Sequence, residues 1–274
     1  MMVVENRKLK LVYFSPTGTS KRAAEAIAKG LGIEFECIDL TYPDAETQKH
    51  IFESDDLAVI AVPVYSGRIP YTAVNRLKNV KGRQSPAVII VVYGNRAFED
   101  SLIELKDITL KQGFQPIAGA AFIGEHSFDT SETPIATGRP DEADLDKAET
   151  FGEQVKAKLI LDDAPALVVP GHRPYRENSD WNKPLEEREK VEPLSPETNP
   201  ETCTLCGLCA QVCPTAAVTV TDSVKTVKTE CTACTACVKI CPTGARAWTH
   251  ERVRKAASWL HANYSVRREP ETFL

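Results

Sequence analysis

One cysteine pattern occurs twice in this chain and constrains its fold more than any other feature. Eight of the nine cysteines follow the spacing Cys-x2-Cys-x2-Cys-x3-Cys, and a proline follows each copy. The two copies are Cys203, Cys206, Cys209, Cys213 and Pro214, then Cys231, Cys234, Cys237, Cys241 and Pro242. Thiolates are soft ligands that suit iron–sulfur clusters, and this spacing is typical of chains that bind two [4Fe–4S] clusters. The repeat therefore predicts two such clusters within residues 201–247.

The predicted ligand sets cross between the two copies. In this pattern the first three cysteines bind one cluster and the fourth binds the other. Cluster 1 is then held by Cys203, Cys206, Cys209 and Cys241, and cluster 2 by Cys231, Cys234, Cys237 and Cys213. A zinc site uses four ligands in total, fewer than are present here. A disulfide scaffold needs an oxidising compartment, which nothing in the sequence indicates.

The remaining sequence is long enough for a second domain. The chain has 274 residues, 42% hydrophobic and 26% charged, as is ordinary for a globular protein. No basic stripe indicates nucleic acid. The longest apolar runs, residues 57–62 and 87–92, are far shorter than a membrane span, and the first residues lack a signal-peptide core. We expect a cytoplasmic protein of an anaerobic setting, because exposed clusters are sensitive to oxygen.

Residues 1–163 alternate between strand and helix patterns, which predicts an α/β domain with a parallel sheet. The predicted strands are Leu9–Phe14, Glu34–Leu40, Leu57–Val62, Ala87–Tyr93 and Pro116–Gly124. The predicted helices are Ser20–Leu31, Tyr71–Lys78, Phe98–Gln112 and Glu142–Leu161. In such sheets ligands bind beyond the carboxyl ends of the strands. The loops at that edge are therefore the candidate binding residues.

The loop after the first strand is rich in hydroxyl groups and leads directly into a helix. Its residues are Ser15, Pro16, Thr17, Gly18, Thr19 and Ser20. Free backbone N–H groups and the positive end of the helix dipole favour a phosphate there. The loop lacks the pattern of a nucleoside-triphosphate loop and the Gly-x-Gly-x-x-Gly pattern. A simple capped helix after a turn is the alternative.

Two further loops follow the third and fourth strands, and each combines an aromatic residue, a glycine and an arginine. The first contains Pro63, Val64, Tyr65, Ser66, Gly67 and Arg68, and the second Tyr93, Gly94, Asn95, Arg96 and Asp100. Aromatic side chains can stack on an isoalloxazine ring, glycine allows close backbone approach, and arginine can balance a reduced ring's charge. The alternative is that Tyr65 and Tyr93 only cap the sheet.

The sequence resembles two known families. Residues 1–163 resemble a flavodoxin, and residues 201–247 resemble a bacterial-type ferredoxin. Their order resembles the flavodoxin–ferredoxin fusions of the EFR1 family, and the chain shares with them the motifs Tyr-Gly-Asn-Arg and Gly-Glu-His-Ser-Phe. The resemblance implies a doubly wound five-stranded sheet of order 2-1-3-4-5, followed by a small α+β cluster domain. It also implies that FMN binds with its phosphate at residues 15–20. Its ring would lie between the two later loops, stacked on Tyr93 with Tyr65 on the other face.

Three other segments are less specific. Glu125 and His126 follow the fifth strand and could transfer protons to a flavin or a substrate; solvation or a hydrogen bond to the loop 129–141 is the alternative. Residues 164–200 contain seven prolines and predict an extended connector, unless 170–175 pack on a domain. Cys37 is predicted to be a buried apolar residue. Residues 248–274 predict a helical extension, Glu251–Asn263, with Trp248 and Trp259 covering the cluster domain.

Two functions remain open from the sequence. The first is an electron carrier that passes single electrons between the two clusters and FMN, and then to a redox partner protein. The second is an oxidoreductase whose flavin reduces a small organic acceptor, in which case Glu125 and His126 would be catalytic. A flavin-free scaffold or redox sensor is a third, weaker possibility. No substrate-specific motif is present, so we favour the carrier.

Overall fold

A computed structural model describes residues 7–160, 165–179, 182–184, 187 and 193–274. Five parallel strands form the centre of the first domain, here called the α/β domain. In chain order they are β1 (Leu9–Tyr13), β2 (Phe35–Asp39), β4 (Leu57–Pro63), β6 (Pro86–Tyr93) and β7 (Gln115–Ile123). Their spatial order is β2-β1-β4-β6-β7, which is the predicted 2-1-3-4-5 arrangement. Each strand begins and ends within one residue of its predicted bounds.

Helices cover both faces of this sheet, and β4 and β6 are therefore buried over nearly their whole length. On one face lie α1 (Thr19–Leu31) and α4 (Glu142–Lys158), and on the other α2 (Tyr71–Leu77) and α3 (Ser101–Lys111). The helices α1 and α4 approach closely because glycines face each other. A Cβ added to Gly152 would lie 2.2 Å from the carbonyl oxygen of Ile27.

Three short strands were not predicted. The parallel pair β3 (His50–Phe52) and β5 (Val80–Gly82) lies beside the main sheet. The third, β12 (Glu271–Phe273), pairs antiparallel with β7 and adds a sixth strand to the sheet. Three-residue strands are too short to show a period of two, so pattern reasoning has no signal for them. The C-terminal segment therefore returns to the α/β domain.

The cluster domain is built from two small antiparallel pairs and two short helices. The pairs are β8 (Glu197–Thr198) with β11 (Arg246–Ala247), and β9 (Val218–Val220) with β10 (Val224–Thr226). The helices α5 (Leu208–Gln211) and α6 (Ala236–Lys239) each carry one cysteine of the repeat. The helix α7 (Glu251–Tyr264) follows, close to the predicted 251–263. Because β8 belongs to this unit, the unit starts upstream of residue 201.

The described part of the proline-rich segment packs on the α/β domain, in line with the alternative given for residues 170–175. Leu167 and Val169 are buried in the core of that domain, and Arg173 pairs with Asp107 at 2.6 Å. The remaining residues of that segment, 164, 180–181, 185–186 and 188–192, lie outside the described residues.

One expectation from the sequence is wrong. Cys37 is exposed and not buried, because β2 is the edge strand of the sheet and most of its side chains face solvent.

Within the described ranges, no helix has both the length and the apolarity that membrane crossing requires.

Candidate functional site

Three loops meet at the carboxyl edge of the sheet, where β1, β4 and β6 end, together with the loop after β7. They enclose a first cavity of about 60 Å³. A water molecule takes about 30 Å³ in the liquid, so this space suits a small anion rather than a ring system. The lining residues are Ser15, Pro16, Thr17, Thr19, Ser20, Pro63, Val64, Tyr65, Val92, Tyr93, Gly94, Gly124, Glu125, His126 and Ser127.

The hydroxyl-rich loop is held in shape by its own contacts and leaves one donor unused. Ser15 Oγ accepts a hydrogen bond of 3.0 Å from the backbone N–H of Lys21. Gly18 adopts φ = +80° at the N-cap of α1, a conformation that favours glycine. Ser20 is fully buried, and its Oγ has no hydrogen-bond partner among the described residues. A buried hydroxyl without a partner is costly, and an anion in the first cavity would satisfy it.

A second, larger cavity of about 430 Å³ lies at the boundary between the two domains. It shares Val64, Tyr65, His126 and Ser127 with the first cavity, so the two spaces are neighbours. Its volume lies in the range of about 300–1,000 Å³ that is usual for small-molecule sites. The other lining residues are Ser66, Arg96, Phe128, Arg176, Ser179, Asn182, Thr232, Ala233, Ala256, Trp259 and Leu260.

The structure brings most of the predicted flavin-loop residues to these two cavities. Those that line one or both are Ser15, Thr17, Thr19, Ser20, Pro63, Val64, Tyr65, Ser66, Tyr93, Gly94 and Arg96. Gly18 and Gly67 line neither cavity. Gly67 has φ = +82°, and an added Cβ would lie 1.9 Å from the Glu99 carboxylate. Phe128 lines the second cavity but was not predicted to do so, because a single aromatic residue in a loop carries no specific signal in the sequence.

Three predicted residues are committed to other contacts. Arg68 forms a bidentate pair with Glu104, at 2.8 and 2.7 Å. Asn95 donates from Nδ2 to the carbonyl oxygens of Tyr264 and Val266, at 2.5 and 2.9 Å. The Asp100 carboxylate accepts from the backbone N–H groups of His172 and Arg176. These side chains fasten the connector and the C-terminal segment to the α/β domain.

The two tyrosines differ in what their rings can do. Tyr93 is 3% exposed, and its ring packs against Phe98 with centroids 5.5 Å apart. It belongs to the core and also lines the first cavity, and its stacking on a flavin ring stays a prediction. Tyr65 is half-buried and borders both cavities. Burial, with Cys234 and Cys231 nearby, raises the pKa of Tyr65 well above its ordinary value.

His126 and Glu125 lie at the cavities, where His126 Nδ1 and the Glu125 carboxylate already have hydrogen-bond partners. His126 Nδ1 accepts from the backbone N–H of Phe128 at 2.9 Å. Burial, with the nearby Lys239 and Arg96, lowers the pKa of His126 to about 4, so the ring is neutral with its hydrogen on Nε2. Burial alone would raise the pKa of Glu125, but Lys239 and the N–H of Gly138 hold it below its ordinary value. Glu125 pairs directly with Lys239.

The eight cysteines of the repeat surround two further cavities. One is lined by Cys203, Cys206, Cys209 and Cys241, and the other by Cys213, Cys231, Cys234 and Cys237. These are the crossed sets expected for cluster 1 and cluster 2. Burial raises the pKa of Cys231 to about 11 and that of Cys234 to about 12. Thiols in such surroundings ionise when a positive metal centre binds them, and four thiolates are the donor set that a [4Fe–4S] cluster needs.

Several contacts hold the second cysteine set against the α/β domain. Arg76 Nη2 donates to the carbonyl oxygen of Pro214 at 2.7 Å, and Lys239 pairs with Glu125. On the other side, Thr232 and Ala233 belong to the loop between Cys231 and Cys234, and both line the 430 Å³ cavity. One loop therefore separates the second cysteine set from the large cavity.

Comparison with known proteins agrees with the cysteine-walled cavities. Residues 195–242 match the family model described as a 4Fe-4S dicluster domain, which confirms the predicted iron–sulfur clusters. No curated protein sequence matches the chain. The chain thus joins a flavodoxin-like α/β domain to a 4Fe–4S dicluster domain.

Among solved structures, the chain is similar to two flavodoxins and to part of a larger oxidoreductase. A Streptococcus pneumoniae TIGR4 flavodoxin is 17% identical, with a TM-score of 0.37, and covers 55% of this chain and 98% of its own. An archaeal flavodoxin is 15% identical, with a TM-score of 0.34, covering 56% and 98%. Rubredoxin:oxygen oxidoreductase from Desulfovibrio gigas is 13% identical, with a TM-score of 0.39, covering 57% and 36%.

Proposed function

We propose that this chain is an electron-transfer protein in which single electrons pass between two [4Fe–4S] clusters and an FMN, and then to a redox partner. The observation that carries this proposal is the position of Thr232 and Ala233. Both lie between two ligands of cluster 2, and both line the cavity that the flavin loops also line. A ring bound in that cavity lies against the loop that holds cluster 2, and proximity is what electron transfer requires.

The donor set of the two cavities suits FMN. The phosphate would occupy the first cavity, held by Ser15, Thr17, Thr19 and Ser20 at the start of α1. The ring would occupy the second, between Tyr65 and the aromatic side chains of Phe128 and Trp259. Bound FMN supplies both one- and two-electron chemistry. Neutral His126 can donate a hydrogen bond from Nε2 to the bound group, and Arg96 provides a positive charge beside it.

The two clusters have different surroundings, and we infer from this which cluster exchanges electrons with the flavin and which with an external protein. Cluster 2 lies next to the large cavity. Cluster 1 lies in the other cysteine set, where Cys206 is exposed and the neighbouring Leu205 is 42% exposed. We assign cluster 1 to exchange with an external redox protein and cluster 2 to exchange with the flavin.

The oxidoreductase alternative has less support. It needs a proton donor at the flavin, and the Glu125 carboxylate is paired while His126 Nδ1 accepts a backbone hydrogen bond. The carrier needs neither group to change its protonation state. Membership of the EFR1 family and a cytoplasmic, anaerobic setting remain predictions from the sequence.

The experiment uses the full chain, purified under anaerobic conditions. We expect one FMN and eight irons per chain, and faster reduction of the flavin by a one-electron donor than in protein loaded with FMN alone. The variant Ala233→Trp should fill the ring cavity and weaken FMN binding at least tenfold. Leu205→Trp is the matched control, since residue 205 has the equivalent place in the first cysteine copy and the same left-handed backbone, φ = 53° against 56°. Equal FMN affinity in both variants would show that the ring binds elsewhere.

A further inference from the structure

Arg246 lies between the two cysteine sets. It belongs to β11, directly after the second cysteine motif, and is only 3% exposed. It lines the cavity of cluster 1 and also that of cluster 2. No other charged residue among those described lines both. A fixed positive charge is therefore buried where two negatively charged groups would bind.

The contacts of Arg246 reach both sets of sulfur atoms. Its Nη2 lies 3.6 Å from Cys237 Sγ, which belongs to the cluster 2 set. Its backbone N–H, with those of Thr243 and Ala245, hydrogen-bonds to the sulfur of Cys241, which belongs to the cluster 1 set. Its Nη1 donates to Thr198 Oγ1 at 2.8 Å, which fixes the direction of the guanidinium.

The positive charge of Arg246 is not neutralised by a carboxylate. No carboxylate of the described residues forms an ion pair with it, and its Nε is buried without a hydrogen-bond acceptor. A buried charge is costly unless it is paired. The groups that would pair with it are the clusters themselves, since each oxidised [4Fe–4S] cluster with four thiolates carries a net negative charge.

We propose that Arg246 raises the reduction potentials of both clusters. This inference rests on the proposed function, because it assumes that the cysteine sets hold redox-active clusters. Reduction adds one negative charge to a cluster, and a nearby buried cation stabilises that charge more strongly than a surface cation does. Hydrogen bonds to cluster sulfurs act in the same direction, and such bonds are among the factors that set these potentials.

The role of Arg246 is therefore to make both clusters easier to reduce, so that electrons from a partner of moderate potential can enter. Cluster 2 receives the charge and the side-chain hydrogen bond, and cluster 1 receives the charge and a backbone bond. Substitution should consequently move cluster 2 more than cluster 1.

The test is an anaerobic redox titration of the full chain, followed by electron paramagnetic resonance of the reduced clusters. In Arg246→Gln we expect both midpoint potentials to become more negative, on the order of a tenfold change in each reduction equilibrium, which is about 59 mV for a one-electron couple. Arg246→Lys keeps the charge and should lie closer to the wild type. Lys225→Gln, which removes an exposed charge from β10 of the same domain, should leave both potentials unchanged.

Two results would overturn the proposal. One is an R246Q protein with eight irons whose potentials equal those of K225Q. The other is loss of the clusters in both R246Q and R246M but not in R246K, which would mean that the charge serves assembly and not tuning. The readout does not involve the flavin, and Arg246 lines neither flavin cavity. Failure here would therefore leave FMN binding and the flavin–cluster route untouched.

Discussion

Arg76 donates a hydrogen bond to the carbonyl oxygen of Pro214, 138 positions further along the chain and in the other domain, at 2.7 Å. The guanidinium is fully buried and also donates to the carbonyl oxygens of Leu40 and Thr41, at 3.0 and 2.6 Å. Since Pro214 follows Cys213 directly, one side chain ties the carboxyl edge of the sheet to a predicted ligand of cluster 2. This bond and the Glu125–Lys239 pair both hold the second cysteine set beside the α/β domain.

Replacing Arg76 by Met should loosen the boundary between the domains. Only the bond to Pro214 crosses the boundary, since Leu40 and Thr41 belong to the α/β domain. A buried unsatisfied group costs about 1–3 kcal/mol. We therefore expect the free energy of domain opening to fall by about 1–3 kcal/mol, as measured by amide hydrogen exchange at Cys213 and Thr215. Electron transfer from the clusters to the flavin should slow in parallel, in stopped-flow experiments.

Arg83→Met is the control for Arg76. Arg76 pairs with Glu46 at 3.0 Å, and Arg83 pairs with Glu53 at 2.8 Å, but the Arg83 side chain is 64% exposed. Exposed ion pairs contribute about 0–1 kcal/mol, so exchange at Cys213 and Thr215 should stay as in the wild type. An effect equal to that of Arg76→Met would assign the loss to charge in general and not to this bond.

Replacing Ser20 by Ala should have opposite effects on the flavin-free and the flavin-bound protein. Without a ligand, the variant removes a buried hydroxyl that has no partner, so thermal denaturation should show equal or greater stability, by up to about 1 kcal/mol. With FMN, one hydrogen bond to the charged phosphate is lost, and the affinity should fall about tenfold in a fluorescence titration. Unchanged affinity would remove Ser20 from the phosphate site.

His126 should make the protein less stable as the pH falls from 7 to 5. The pKa of His126 is about 4 in the folded chain, against an ordinary value of 6.5. The unfolded chain therefore binds one more proton in this range, which favours unfolding. Compared with His126→Asn, the wild type should lose about 2 kcal/mol between pH 7 and pH 5. Anaerobic urea denaturation followed by tryptophan fluorescence measures this difference, and a constant difference would contradict a neutral, buried His126.

The pair between Glu125 and Lys239 should stabilise domain closure at neutral pH. Because the pKa of Glu125 lies below its ordinary value of 4.5, the contribution is present above that value and is lost as the pH falls below it. A double-mutant cycle with Glu125→Gln and Lys239→Gln should give a coupling of about 1 kcal/mol by hydrogen exchange, constant from pH 6 to 8. The exposed pair of Glu251 and Lys255 is the control. Glu251→Gln should leave the free energy of domain closure unchanged.

Local patterns were enough to predict the sheet and both cysteine sets. The strand runs at 57–63 and 86–93 are apolar throughout because both faces are buried, and a continuous apolar run is readable in the sequence. The spacing of the cysteines carries its own geometry. The loop at residues 15–20 was also placed correctly at the sheet edge, since a loop that leads into a helix after the first strand has few other positions.

Contacts between distant segments could not be predicted in the same way. Asn95 follows an aromatic–glycine pair that is typical of a ligand loop, yet it binds the backbone of residues 264 and 266. Nothing near Arg246 in the sequence shows that it lies between two cysteine sets, because that position depends on the crossing of the two copies. The large cavity is likewise formed by residues from six separate stretches of the chain.

The strand β12 has a consequence for how the two domains are connected. It lies downstream of both cysteine motifs and pairs with β7 in the sheet of the α/β domain. Upstream of those motifs, Leu167 and Val169 are buried in the core of the same domain. The cluster domain is therefore inserted between two segments that both pack on the α/β domain, so its movement away from that domain is restricted at both of its ends.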